Sequence, residues 1–107
     1  MNRPALIPHH LKEHFHSKHS CIDIRGKKAH AIKANTNNRS WHNVITSECA
    51  AIAINYRTKH ANTVVQTSKD PIHVLSFGCG ADTFYWGRYR FSSMKTFQGQ
   101  ECFVLKF

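Results

Sequence analysis

An α+β fold is predicted for this chain: two helices packed on a largely antiparallel sheet in one compact domain. Three observations support it. Apolar residues recur at helical spacing in two places, polar turn signals separate short β-rich runs elsewhere, and 107 residues suffice for one modest core. The single domain spans 1–107, with residues 1–7 as a flexible start.

The first helix covers 8–19. Pro8 suits a first helical turn, where a missing N–H costs nothing, and Ile7, Leu11 and Phe15 form one apolar stripe. Strands at 21–25 and 29–33 follow, with Gly26, Lys27 and Lys28 as the hairpin turn between them. Residues 35–39 are polar and read as a loop. The strongest helical pattern spans 43–59: Ile45, Cys49, Ile52 and Tyr56 share a stripe, and Asn43 or Thr46 caps its start. Strands at 63–67 and 72–77 flank the turn Ser68-Lys69-Asp70-Pro71. An aromatic strand at 83–91 and a last strand at 101–107, after a turn at 98–100, complete the set. Helices and strands do not alternate regularly, which argues against a βαβ arrangement.

Charge is the informative part of the composition. With 15 Lys and Arg against 6 Asp and Glu, the chain carries a formal charge of +9. Such an excess attracts polyanions over roughly a Debye length, ~8 Å at physiological salt. Nucleic acid is the expected partner, ahead of an acidic protein or another polyanion. No apolar run approaches the ~18 residues of a membrane span, so no membrane partner is expected. Pro4 and Pro8 interrupt any signal-peptide core, and Cys21, Cys49, Cys79 and Cys102 form no C-x-x-C pair. Reduced thiols and a cytoplasmic location are the expectation.

The aromatic strand supplies the candidate nucleic-acid face. Strict alternation puts Tyr85, Tyr89 and Phe91 on one side, towards a core, and Phe84, Trp86, Arg88 and Arg90 on the other. Flat rings beside guanidinium groups are what stacking on bases and contacting phosphates require; the plainer reading is packing rings and a solvated face. Arg25, Lys27, Lys28 and Lys33 on the basic hairpin would engage phosphates. The leading expectation is therefore a non-enzymatic nucleic-acid-binding module.

Other clusters carry weaker chemistry. His10 and His14 are spaced to share a helical face, and His19 (or His16) with Cys21 would complete the four ligands zinc needs. No acidic residue separates them as H-E-x-x-H requires, so a solvated histidine face competes and no cofactor is expected. Cys79, between Gly78 and Gly80, reads as a turn thiol; as a nucleophile it would need His42 or His60 close in space, since His73 lies six residues back along the same strand. Phosphate-loop motifs are absent.

Two further function classes remain open. One is an inhibitor or adaptor docking on an acidic protein, with Trp86 and Tyr89 as anchors. The other is a metal-independent ribonuclease drawing on His42, Glu48, Arg88 and Tyr89, which requires a cleft with a histidine beside an arginine.

Overall fold

The computed structural model describes residues 5–6, 22–36, 43–53, 59–78, 80–97 and 99–107. Among the described residues the fold is mostly β with one short helix, in place of the expected two helices on a sheet. The strands are β1 (Ala5–Leu6), β2 (Ile22–Arg25), β3 (Lys28–Asn35), β4 (Val44–Ile45), β5 (Cys49–Ala53), β6 (Ile72–Gly78), β7 (Gly80–Phe97) and β8 (Gln100–Lys106); α1 is Lys59–Gln66. Their order across the sheet is β2-β3-β6-β7-β8-β5-β4, with β1 added along β7. Every pairing is antiparallel except β3 with β6. The link from β3 to its parallel partner carries β4, β5 and α1, so one βαβ-like crossover exists after all. The expected helix at 8–19 lies outside the described residues.

Both corrections have a physical cause. At 43–59 the apolar spacing fits two periods, and burial follows the shorter one: Ala50 and Ile52 are buried, while Cys49 is exposed and Ala51 and Ala53 lie between. Pairing of Cys49–Ala53 with β8 satisfies the backbone and overrides the helical preference of alanine. The capping signal at Thr46 is real but serves a turn. Its Oγ1 accepts from the N–H of Glu48 and of Cys49, while Thr46 N–H donates to the Cys49 carbonyl at 2.8 Å.

At 63–67 the error runs the other way, because Thr63, Val64, Val65 and Thr67 are β-formers by propensity. Their segment is instead the second half of α1. Asn62 and Val65 are buried, with Ala61 and Val64 packed beside the same core, an i, i+1, i+3, i+4 face. Propensity differences of a few tenths of a kcal/mol per residue yield to that burial. Thr63 inside α1 and Thr67 just after it donate their hydroxyls to the Lys59 and Thr63 carbonyls, four residues back in each case.

One main core gathers residues from nearly every element: Ile22, Ile32, Ile52, Val65, Ile72, Val74, Tyr89, Phe103 and Leu105 among them. The sheet must curl to hold it. Straight, the 18 residues of β7 would span roughly 55–60 Å at ~3.3 Å per residue, yet the largest dimension is 31 Å. β7 bends where its ladder slips, at Trp86, and again at Ser92. Gly87, at φ +113°, takes a backbone conformation closed to other residues. Gly26 does the same in the β2–β3 turn at φ +64°, as a two-residue hairpin demands. No helix among the described residues is long and apolar enough to cross a membrane.

Asn43 ties the crossover to the sheet. Its Nδ2 donates to the Asn35 carbonyl at 2.9 Å, and its Oδ1 accepts from Ala53 N–H at 2.8 Å. The side chain thus closes the ends of β3 and β5. Asn43→Ala is expected to lower stability by about 1–3 kcal/mol, because it strands two half-buried backbone groups. The midpoint of urea unfolding, at unchanged slope, measures this.

Candidate functional site

The polar cluster of the fold lies on the side of β2, β3, β6 and β7 turned away from the main core. Alternation along β6 sends Ile72, Val74 and Ser76 inward and His73, Leu75 and Phe77 outward. Cross-strand partners share a face, so Arg88, opposite His73, and Tyr85, opposite Leu75, also point outward. The slip between these two pairs is decisive. Trp86 is the extra residue, so outward positions are odd-numbered before it and even-numbered after it.

The expected face is therefore divided. Trp86 turns inward against the main core and donates its Nε1–H to the Ser76 hydroxyl at 2.8 Å. Phe84 is half-buried, in register with Ser76 on one side and Leu6 on the other. Arg88 is exposed on the outer face, and Arg90 donates from Nη1 to the Lys69 carbonyl at 3.0 Å. Tyr85, assigned to a core by strict alternation, lies outside over Ala31 and Leu75. Tyr89 is inside and fully buried, donating its hydroxyl to the Thr46 carbonyl at 2.6 Å.

What the outer face does bring together is a histidine pair. The rings of His30 and His73 meet edge to face with centroids 5.0 Å apart, and His73 Nδ1 lies 2.8 Å from the Tyr85 hydroxyl. His30 reaches this face because it is the extra residue of a second slip, between Ala29 and Ala31 on β3. Two cations flank the pair. Arg25 comes from β2, where its Nε holds Asp23 at 3.2 Å, and Arg88 comes from β7. Farther along the face, Lys33 on β3 places its Nζ 5.3 Å from the centre of the Phe77 ring. His73, Tyr85 and Phe77 are half-buried, so rings as well as charges are presented.

No protein-family model, curated protein or solved structure matches this chain. The chemistry of the cluster is accordingly read from its own atoms. Burial holds His73 below the ordinary histidine value, and the charges of His30, Arg88 and Arg25 push it the same way. Burial pushes the Tyr85 hydroxyl up, against the opposing pull of Arg88. Near pH 7 the centre of the face is thus a neutral imidazole beside a protonated phenol, flanked by fixed positive charge.

This arrangement fixes the sign of a pH effect. Below the ordinary value of 6.5 the unfolded chain takes up a proton that folded His73 resists. Stability is therefore expected to fall as pH drops from about 7.5 to 5.5, and His73→Gln is expected to remove that component. Urea midpoints of both proteins at the two pH values measure it.

The remaining candidates lie apart. Lys27 and Lys28 are exposed at the hairpin tip, where Lys28 pairs with Asp70 at 3.0 Å. A hollow beside the tip is lined by Lys27, Lys28, Thr67, Ser68, Lys69 and Asp70. It adjoins the C-terminal end of α1, whose dipole opposes an anion there. His10, His14, His16, His19, Cys21, His42 and Cys79 lie outside the described residues. Among those described, no three His, Cys, Asp or Glu side chains are grouped to hold a metal. Glu48 is exposed in the β4–β5 turn and His60 on α1. Cys49 and Cys102 are free thiols, the latter buried.

Proposed function

We propose that this chain binds nucleic acid through the outer face of β2, β3, β6 and β7. Arg25, Lys33 and Arg88 contact phosphates, His30 and His73 sit beneath the backbone, and Tyr85 and Phe77 offer rings to bases. The supporting observation is the convergence of Arg25 from β2 and Arg88 from β7 on an imidazole pair, beside a carboxylate that Arg25 already holds. An overall charge of +9 agrees with a polyanionic partner. Phosphate contacts fix position, while rings on a strand accept any base by stacking. The exposed Lys27 and Lys28 extend the same charge along the β2–β3 tip.

The acidic-protein reading draws less from the geometry, since its anchors were Trp86 and Tyr89. Tyr89 has no exposed surface, and the Trp86 N–H is engaged by Ser76.

Binding to labelled single-stranded RNA and to duplex DNA, titrated over salt, tests the proposal. Affinity is expected to fall with salt, by about 0.7 in log–log slope per phosphate contact on a single strand. No binding near physiological salt would contradict it and direct attention to a protein partner.

A further inference from the structure

Ribonuclease chemistry, expected from His42, Glu48, Arg88 and Tyr89 if from anything, does not assemble on those residues. Arg88 and Tyr89 point to opposite faces, Glu48 stands in the β4–β5 turn, and His42 is outside the described residues. One half of what that chemistry requires, a histidine beside an arginine, is present in His73 and its register partner Arg88, which lie on a sheet face. A second histidine stands 5.0 Å away and a phenol within hydrogen-bond distance.

We infer that this face also cleaves single-stranded RNA, with His73 as general base, His30 as general acid, and Arg25 and Arg88 against the scissile phosphate. The inference rests on the binding reading and goes beyond it. Two neighbouring imidazoles match what the step needs, because the attacking and leaving oxygens of one phosphodiester lie on opposite sides of a single phosphorus. A strand crossing the pair presents one oxygen to each ring.

The balance closes without a co-reactant. His73 takes the proton of a ribose 2′-hydroxyl as that oxygen bonds to phosphorus. The bond from phosphorus to the 5′-oxygen of the next nucleotide breaks, its electron pair leaving with that oxygen, and His30 supplies the proton it needs. The products are a 2′,3′-cyclic phosphate and a 5′-hydroxyl. Charge that builds on the phosphoryl oxygens faces two fixed guanidinium groups, which are in place before reaction.

The roles follow from what surrounds the pair. Asp23 and Arg25 face it from β2, and Tyr85 and Arg88 from β7, while Lys33 on β3 lies farther along the face over Phe77. Two like charges at this separation disfavour each other, so the two rings resist being protonated together. Desolvation falls on His73 and favours its neutral form, as a base requires. Tyr85 fixes its ring through Nδ1 and acts as a positioning residue.

The test uses the full chain with two strands of one sequence, RNA and its 2′-O-methyl form, in EDTA. Binding is measured on the methylated strand and cleavage on a denaturing gel. The expected result is RNA cut to cyclic-phosphate ends with a bell-shaped dependence between about pH 5 and 8, and a methylated strand bound but intact. His30→Gln and His73→Gln are each expected to lower cleavage at least ~100-fold, a loss far larger than any change in affinity for the methylated strand. RNA that binds but stays intact, or cleavage undiminished in both variants, overturns the inference and leaves the binding site standing. A methylated strand that does not bind overturns both.

Discussion

Tyr89→Ala is expected to cost the fold about 3–5 kcal/mol, much of the stability a domain of this size possesses. Tyr89 is fully buried at the point where β7 leaves β6 for β8: it pairs with Ile72, and Arg90 next to it pairs with Lys106. Its ring meets the edge of Phe107 at 5.4 Å, and its hydroxyl reaches across to the Thr46 carbonyl. One side chain therefore joins both halves of the curled sheet to the turn before β5. Alanine would leave a cavity at that junction, where neighbours on three elements cannot close in together. Tyr89→Phe keeps the ring and loses only the hydrogen bond, at about 1 kcal/mol. Urea unfolding of the two variants separates packing from hydrogen bonding. Equal losses would contradict the junction role.

Neutralising Arg25, Lys33 and Arg88 together to glutamine is expected to make the salt dependence of single-strand binding shallower by about 2 log units per log unit. This follows from ~0.7 for each lost phosphate contact, and at about 0.1 M salt it corresponds to roughly 100-fold in affinity. Lys95 and Lys106 provide the control. They belong to the β7–β8 hairpin, away from the histidine pair, and each carries the same unit charge. If the account holds, Lys95→Gln with Lys106→Gln has a small effect. An equal effect per charge removed in both sets would mean that net charge, and not this face, governs binding.

The sequence made some of this legible through local rules. Gly26 in a two-residue turn marks the β2–β3 hairpin, the runs at 72–77 and 83–91 lie within β6 and β7, and the run at 101–107 matches β8 except for Phe107. Where local rules competed with distant partners, they failed. Cys49 to Ala53 is helical by composition and a strand by its pairing with β8, while Thr63 to Gln66 is β-like by composition and helical because Val65 needs burial. Neither partner is visible in the segment itself.

The candidate site shows the same division. Arg25, Lys33 and Arg88 were identifiable from charge and alternation. His30 and His73 were not, since both owe their place to ladder slips and cross-strand register. One signal was available: Gly87 inside an aromatic strand marks a bulge, and a bulge exchanges the faces beyond it. Allowing for it would have separated Trp86 from Arg88 and placed Tyr85 beside the guanidinium. The slip at His30 left no comparable mark.

The most direct measurement is NMR of the histidine imidazoles, arginine Nε–H groups and lysine side chains during titration with a short RNA strand. The expected result is that signals of His30, His73, Arg25 and Arg88 move together and saturate at one stoichiometry, while Lys95 and Lys106 stay in place. Shifts confined to the β7–β8 hairpin, with His30 and His73 unmoved, would contradict the proposed face.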